Sequence, residues 1–431
     1  MTSLARSSAL RLPLVAVACL VPACGSRSAL PEDSAGEGAG ACAALSYDED
    51  FQTGDLVTPI EASYPNYLDV RLTPSSDDGT RLTAILTRQW SGGSIVSHAT
   101  LSPWKEWPNN GLLPSVKITA IHTNGTAIGA PAKGDRFSIF APGFLSKTGG
   151  LVLYPDLDPG ESGQGSSTAA VSVPGESATF LLPPQETDAG TPKVKYLSGG
   201  FLSPMQSATP IFEDGSAPYT EQLGCATNNQ SAAAGVAYRK EWLIAVSSGD
   251  SNPPGCTGDT VGPPDRIDIV VASAYGGTTL ATSIAALGVT QVRAAPHEDG
   301  MYVVWTQSHP GPDTVQVARY DGPQNQIVGP VNLAEEGETN LGVATARVGA
   351  SLLVVRGRAG GIDGIDIDHM VFTLLDEDLN RLWEWTLVPT YKYVGPLDLW
   401  GSPEGKGAVL AWIDQADGIS LGRLSRLDCV E

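Results

Sequence analysis

A short pattern recurs along this chain: a turn that contains glycine leads into a run of apolar residues, and a polar loop then leads into a segment of alternating polarity. The apolar runs with their turns occupy residues 299–305, 348–355 and 405–412, and the alternating segments occupy residues 314–321, 370–376 and 419–424. Two-residue alternation is typical of β-strands, and clusters of Gly and Asp mark turns. The pattern therefore predicts pairs of β-strands that repeat along the chain.

Related apolar segments extend the repeat towards the N-terminus, at residues 82–87, 136–140, 178–182 and 242–246. One position per unit, at about 85, 139, 180, 244, 304, 354 and 411, gives a mean spacing of about 54 residues. A four-stranded propeller blade takes roughly 40–50 residues, and longer loops account for the difference. We predict an all-β fold, a β-propeller of about seven blades. The alternative is an N-terminal β-sandwich over residues 43–195 joined to a smaller propeller.

The composition agrees with a fold of short strands and many turns. The chain has 49 Gly and 32 Pro, and only 17% of its residues are charged. Such a composition favours turns and strands over helices. No long stretch repeats apolar residues at helical spacing without an interrupting Gly or Pro. The length is sufficient for one large all-β domain or two ordinary ones.

The N-terminus has the layout of an export signal. Arg6 and Arg11 precede an apolar run at residues 12–21. This run is too short to span a bilayer but has the length of a signal h-region. Val21-Pro22-Ala23-Cys24 follows, and this order resembles a bacterial lipoprotein signal. The resemblance implies cleavage after residue 23 and a lipid on Cys24. An ordinary cleaved secretory signal is the alternative.

The residues after Cys24 predict a location and a tether. In the lipoprotein family that the signal resembles, a residue other than Asp at this position, here Gly25, implies the outer membrane. Residues 25–41 are mostly Gly, Ser, Ala and Glu, and such a segment cannot bury enough apolar surface to fold. We therefore expect a signal peptide at residues 1–23, a lipidated cysteine with a flexible tether at 24–41, and a propeller-like domain at 42–431.

The formal net charge of −21 limits the partners. Nucleic acids and anionic lipid headgroups bind to clustered Lys and Arg, and a chain this acidic repels both. The sequence therefore predicts no nucleic-acid partner, and it predicts contact with a membrane only through the N-terminal lipid.

Four cysteines fall in the expected propeller domain: Cys42, Cys225, Cys256 and Cys429. An even number in an oxidising compartment predicts disulfide bonds, and four cysteines allow three pairings. A propeller closes its ring by joining its first and last strands, and Cys42 and Cys429 stand at the two ends of the domain. We favour a Cys42–Cys429 bond that clamps this seam, with Cys225–Cys256 as the second bond.

Three tryptophans are candidate ligand-binding residues. Trp90, Trp104 and Trp107 stand among Gly, Ser, Pro and Asn and are predicted to lie in loops. Exposed aromatic rings stack on sugars or fill pockets of a partner, although loop tryptophans also fold back over strand edges. Trp305 and Trp412 lie in apolar runs, and we expect them in the core.

Asp363, Asp366 and Asp368 form a candidate metal site. Alternate Asp residues in a loop can direct several oxygens at one hard cation, as calcium loops do. The spacing does not match a full calcium-binding loop, so solvated loop carboxylates are the default interpretation. The sequence therefore predicts no cofactor, with calcium at this loop as the alternative.

No catalytic constellation stands out. Gly249-Asp250-Ser251 resembles the nucleophile segments of some serine hydrolases over three residues, and a surface turn is the simpler interpretation. Residues 75–80 resemble the Asp box of sialidase-type propellers without its aromatic residue, and in that family the box is a structural turn. The sequence therefore predicts no catalytic residues.

Two functional classes remain open. The first is a non-enzymatic binding or scaffold lipoprotein at the outer membrane, which presents propeller loops to an envelope protein or a glycan. The second is a secreted hydrolase or lyase that acts on polysaccharide with carboxylates near the central channel. Catalytic groups from different blades would be far apart in the sequence and hidden from it. Carboxylates gathered with Arg or Tyr at one end of the channel would favour the enzyme.

Overall fold

The chain divides into two units, Met1–Gly38 and Ala39–Glu431. A computed structural model describes these parts of the second unit: residues 42–47, 53–56, 67–75, 80–90, 93–107, 117–123, 126–132, 135–142, 150–158, 171–183, 194–202, 205–217, 219–225, 232–249, 264–273, 277–308, 313–335, 338–359, 367–388, 392–393, 397–416 and 419–430. The signal peptide, Cys24 and the tether lie outside the described residues, so they stay predictions. None of the described residues lies in an α-helix, and accordingly none belongs to a helix long and apolar enough to cross a membrane.

The described strands form a seven-bladed β-propeller, as the repeat predicts. Five blades are separate four-stranded antiparallel sheets of consecutive strands. The last two blades are joined, together with two short strands that precede the first blade, in one ten-stranded sheet. In chain order the strands are β1 (Ala44–Ser46) and β2 (Thr53–Leu56); blade I, β3 (Tyr67–Pro74), β4 (Leu82–Trp90), β5 (Gly93–Leu101) and β6 (Lys117–Thr123); blade II, β7 (Ile128–Ala132), β8 (Arg136–Pro142), β9 (Leu151–Leu157) and β10 (Val171–Val173); blade III, β11 (Ser177–Leu182), β12 (Val194–Leu202), β13 (Met205–Phe212) and β14 (Glu221–Cys225); blade IV, β15 (Ala233–Tyr238), β16 (Glu241–Gly249), β17 (Pro264–Ser273) and β18 (Thr278–Ala285); blade V, β19 (Val289–His297), β20 (Gly300–Gln307), β21 (Thr314–Asp321) and β22 (Gln326–Asn332); blade VI, β23 (Asn340–Val348), β24 (Ser351–Ala359), β25 (Ile367–Leu375) and β26 (Arg381–Leu387); β27 (Lys392–Tyr393); and β28 (Asp398–Gly401), β29 (Gly407–Ala416) and β30 (Ile419–Val430).

Blade VII closes the ring with strands from both ends of the domain. β28, β29 and β30 form its inner three strands, and β1 and β2 pair side by side with β30 as its outer edge. The Cys42–Cys429 disulfide bond lies at this seam, where Leu45 of β1 stands opposite Cys429. The predicted closure is therefore confirmed. Cys225 ends β14 and is disulfide-bonded, but Cys256 lies outside the described residues and that pairing stays a prediction.

Each blade interface in the described part of the chain holds its own hydrophobic cluster. The second strand of a blade packs on both faces, which explains the uninterrupted apolar runs in the sequence. In β16, Trp242 and Ile244 pack against blade III, whereas Leu243 and Ala245 pack against blade V. Trp305 and Trp412 are buried in such clusters, as expected. Residues 67–182 belong to blades I to III, so the alternative of an N-terminal β-sandwich is wrong.

Glycine stands at the start of the second strand because the backbone of the third strand lies very close to this position. A Cβ at Gly300 would stand 1.9 Å from the Tyr320 carbonyl oxygen, and one at Gly407 would stand 1.9 Å from that of Leu427. These are equivalent positions in blades V and VII, opposite Asp321 and Asp428 respectively. The glycine in the sequence pattern is therefore required by packing between neighbouring strands.

We expect Gly300→Ala to lower the free energy of unfolding by about 1–3 kcal/mol, because the added methyl group forces β20 and β21 apart. Gly342→Ala is the matched control, since a Cβ at Gly342 meets no atom within 4 Å. Urea unfolding followed by tryptophan fluorescence measures both. Equal stability of the two variants would contradict the steric explanation.

Candidate functional site

The turns at one end of the propeller form the surface that carries the pockets described below. Because neighbouring strands run antiparallel, the connections from first to second strand and from third to fourth strand emerge at the same end of every blade. We call this end the upper face. In blades V, VI and VII its inner turns are residues 298–299, 349–350 and 402–406.

A pocket of about 620 Å³ opens on the upper face where blades V, VI and VII meet. This volume lies within the range of about 300–1,000 Å³ that is typical of small-molecule sites. We call it the upper pocket. Its charged and aromatic side chains are Glu298, Arg347, Glu377 and Trp400. The rest of the lining is mainly small or apolar and comprises Ala294, Ala295, Pro296, Thr345, Ala346, Gly349, Ala350, Leu399, Gly401, Ser402 and Pro403.

The charged groups of the upper pocket are available to a ligand. Arg347 is half-buried, and its Nε donates to the Gly349 carbonyl oxygen at 2.7 Å, which fixes the plane of the guanidinium. Glu298 and Glu377 are exposed. Among the described residues, the carboxylates of Glu298 and Glu377 have no hydrogen-bond or ion-pair partner within the chain. The two terminal nitrogens of Arg347 have no such partner there either. The pocket therefore presents one donor group and two acceptor groups.

Trp400 forms an aromatic part of the wall, and its ring is supported from blade I. Its ring centroid lies 5.5 Å from that of Trp104. Trp104 Nε1 donates to Asp428 Oδ1 at 3.1 Å, and the same carboxylate accepts from Arg426 at 3.0 Å. The loop that carries Trp104 therefore supports Trp400 at the interface between blades VII and I.

Two titratable side chains lie close to the upper pocket. Burial lowers the pKa of His297, with further contributions from Arg319 and Arg347, and its Nδ1 accepts from the Asp299 amide at 3.1 Å. Burial raises the pKa of Tyr302 to about 12, and Glu377 adds to the rise. Tyr302 is therefore uncharged near neutral pH, and the shift of His297 favours its neutral form.

Polar side chains of the inner strands are used to join the blades. Asp398 of β28 accepts from the Leu72 amide of β3 at 2.7 Å. Gln291 of β19 likewise accepts from the Val343 amide of β23 at 3.2 Å. These bonds satisfy backbone groups on the inner edges, which would otherwise lack a strand partner.

Asp69 is a buried carboxylate on the innermost strand of blade I. Its side chain is 1% exposed, and Oδ2 accepts from Arg71 Nε at 2.9 Å. Oδ1 has no hydrogen-bond partner among the described residues. Burial raises the pKa of Asp69, Arg71 opposes the rise, and the Asp398 carboxylate adds to it. On the inner strands, the Asp69 carboxylate thus contacts Arg71, and the Asp398 carboxylate contacts a backbone amide.

We expect Asp69 to make stability depend on pH. Its folded-state pKa lies above the unfolded value of about 3.9, so the folded state binds more protons and stability falls as pH rises from about 4 through the folded pKa. Asn at this position does not titrate. The stability of the wild type relative to Asp69→Asn should therefore decline over this interval in urea unfolding. Asp135→Asn, at an exposed site, is the control, and parallel pH curves for wild type and Asp69→Asn would contradict the expectation.

Trp104 and Trp107 are not among the residues that line the upper pocket. Both are half-buried against the core of blades VII and I, and Arg426 lies 5.6 Å from the Trp107 ring centroid. The backbone of Trp90 ends β4, where it pairs with Gly93, rather than lying in a loop. A role of these three residues in ligand binding stays untested.

The predicted metal site is only partly described. Asp368 lies in β25, where its carboxylate contacts His369 Nδ1, whereas Asp363 and Asp366 lie outside the described residues. Within the described ranges, no three His, Cys, Asp or Glu side chains could together hold a metal ion. Calcium binding at this loop stays a prediction. Residues 76–79 and 250–252, from the two turn motifs, also lie outside the described part.

A second pocket on the upper face lies between blades I and II and measures about 500 Å³. Its lining includes Arg81, Asp135, Arg136 and Asp158. Arg81 and Asp135 pair with each other at 2.9 Å, and both are largely exposed. This pair spans the two blades and provides a comparison site for experiments on the upper pocket.

Sequence reasoning missed the residues of the upper pocket. Glu298, Arg347 and Trp400 stand near the end of an inner strand, one or two residues before a glycine. That position is a signal, because the repeat places the end of each inner strand on the same face. Glu377, in a turn between third and fourth strands, carries no comparable signal.

Comparisons with known proteins find similar folds. No protein-family model matches the chain, and no curated protein matches it. Among solved structures, the endosialidase of phage phi92 has 10% identity and a TM-score of 0.48, over 89% of this chain and 70% of that chain. Aleuria aurantia lectin in complex with Fucα1-6GlcNAc has 10% identity and a TM-score of 0.41, over 76% and 98%. Kluyveromyces lactis Hsv2 has 10% identity and a TM-score of 0.45, over 85% and 100%. These values describe fold alone, and the blade count above rests on strand pairing.

Proposed function

We propose that this protein is a non-enzymatic binding protein of the bacterial cell envelope, which offers the upper face of its propeller to an envelope protein or a glycan. The observation that carries the proposal is the upper pocket. The Glu298 and Glu377 carboxylates and the terminal nitrogens of Arg347 have no described partner in the chain, and Trp400 is held in place beside them. A concave site with a few convergent polar groups in a mostly apolar lining is the usual form of a binding site.

Binding is favoured over catalysis by Tyr302 and by the contacts of the carboxylates inside the ring. Burial raises the pKa of Tyr302, near the upper pocket, to about 12, so this group does not exchange protons readily at neutral pH. Inside the ring, Asp69 contacts Arg71 and Asp398 contacts the backbone of β3. The hydrolase or lyase remains the alternative, and Glu298, Glu377 and Arg347 of the upper pocket would be its candidate groups.

The proposed location rests on the N-terminal sequence. Lipid on Cys24 and a tether at residues 25–41 would hold the propeller at the outer membrane, at a root-mean-square distance of about 20–25 Å from the lipid surface. Radiolabelled palmitate incorporation and membrane fractionation test this location, and Cys24→Ser should abolish both signals.

The binding proposal is tested by crosslinking in cells followed by affinity purification and mass spectrometry, with analysis of co-purifying sugar. The pocket variant is Arg347→Ala/Trp400→Ala, and Arg81→Ala in the second pocket is the control. We expect the wild type and the control to recover the same partner, and the pocket variant to lose it. Recovery unchanged by the pocket variant would contradict the site. Degradation of a polysaccharide by the purified protein would support the alternative.

A further inference from the structure

The charges of the upper pocket disfavour an anion. An anion would be attracted by Arg347 but repelled by Glu298 and Glu377, and the net charge of the chain, −21, adds to this repulsion. A cation would pair with the carboxylates but would be repelled by Arg347, whereas a neutral molecule with several hydroxyl groups can bond to all three groups. Its hydroxyls can donate to the carboxylates and accept from the guanidinium, and hydrogen bonds of this kind to ionised groups are stronger than neutral ones.

The rest of the wall suits a molecule with an apolar face. Trp400 is half-buried and supported by Trp104 at 5.5 Å, so its ring does not need to be ordered by the ligand. Leu399, Pro296 and Pro403 lie in the same lining. A sugar ring has both features, since its hydroxyls lie around the rim and its C–H groups form apolar faces that pack on aromatic rings.

We propose that the upper pocket binds a neutral saccharide, with Glu298 and Glu377 accepting from its hydroxyl groups, Arg347 donating to its oxygens, and Trp400 packing against a ring face. This inference rests on the proposed function, because it specifies the ligand of the same pocket. The described partners of Arg347 and Trp104 give two of these contacts a fixed geometry. Arg347 is oriented by Gly349, and Trp400 is positioned by the Trp104–Asp428 pair.

The test uses the purified full chain and an array of immobilised oligosaccharides. The neutral probes are oligomers of hexoses, N-acetylhexosamines and 6-deoxyhexoses, and the acidic probes are oligomers of uronic and sialic acids. We expect binding to neutral probes, with dissociation constants then measured by calorimetry. Arg347→Met and Trp400→Ala should each weaken binding by at least about 10-fold. Trp400→Phe should retain most of the affinity, and Arg81→Ala should leave it unchanged.

Ionic strength separates a neutral ligand from a charged one. Binding of a neutral saccharide should change less than about twofold between 0.05 and 0.5 M NaCl, because screening acts on charge pairs. Circular dichroism checks that each variant is folded. Binding to acidic probes alone, or equal binding by all folded variants, would overturn the inference.

The outcomes distinguish this inference from the proposed function. If no saccharide binds but the pocket variant still loses a crosslinked protein in cells, the ligand class is wrong and the binding function stands. If the pocket variant changes neither saccharide binding nor the crosslinked partner, both proposals fail.

Discussion

Replacing Glu338 by glutamine is expected to lower the free energy of unfolding by about 3–5 kcal/mol. Glu338 lies in the connection between blades V and VI. Its Oε2 accepts from Arg356 at 2.8 Å, and its Oε1 accepts from Arg358 at 3.0 Å. The side chains of Arg356 and Glu338 are only 2% and 7% exposed. Glutamine offers one carbonyl oxygen in place of two charged acceptors and leaves Arg356 buried without its main counter-charge. Burial already lowers the pKa of Arg356, and the Glu338 carboxylate is the largest opposing influence.

Two further variants make the effect specific. Glu384→Gln is the matched control, because Glu384 is 26% exposed and its oxygen lies 3.8 Å from Arg356; we expect a loss below about 1 kcal/mol. In Glu338→Gln/Arg356→Met the uncompensated charge is removed, and part of the lost stability should return. Chemical unfolding of the four proteins measures this. A loss in Glu338→Gln no larger than in Glu384→Gln would show that the pair contributes little.

Removing the Cys42–Cys429 bond is expected to cost about 4 kcal/mol and to lower the thermal midpoint by roughly 5 °C. The bond links residues 387 apart in the sequence and so restricts nearly the whole unfolded chain. It also holds β1 to β30 at the outer edge of blade VII, where only three residues of β1 pair. Cys42→Ala/Cys429→Ala is the suitable variant, because Cys42 is fully buried and serine would place a hydroxyl there.

A reductant provides the second arm of this test. It should lower the midpoint of the wild type at least as much as the double substitution does. Its remaining effect on the double variant reports the bond that involves Cys225. Val430→Thr, at an exposed position beside the seam, controls for local changes at the strand end. An unchanged midpoint in the double variant would mean that strand pairing alone closes the ring.

The periodicity of the fold could be predicted from the sequence because the second strand of a blade is buried on both faces. Six of the seven positions chosen from the sequence fall in second strands, at β4, β8, β16, β20, β24 and β29. The seventh, at 180, falls in the inner strand β11. In blade III the second strand contains Gly199, where a Cβ would stand 2.2 Å from the ring of Phe180. At this place in blade III the large apolar side chain is therefore that of Phe180 on the inner strand β11. The second strand of this blade lacks the uninterrupted apolar run that marks the other blades.

The closing disulfide could also be predicted, because ring closure is a requirement of the fold rather than a property of local sequence. The strands β1 and β2 could not, since three and four residues are too few to show a periodic pattern. The roles of Trp104 and Trp107 depend on a neighbour more than 300 residues away in blade VII. Their surroundings in the sequence suggest exposed loops, whereas the seam between the first and last blades half-buries them.

The sequence by itself predicted the all-β class, a propeller of about seven blades and the favoured clamp at the seam, because these follow from alternation, apolar runs and the need to close a ring. Only the tertiary structure decided the candidate site. Glu298, Arg347 and Trp400 are separated by about 50 residues each in the chain. They meet because antiparallel strands return each inner turn to the same face and the ring places blades V, VI and VII side by side.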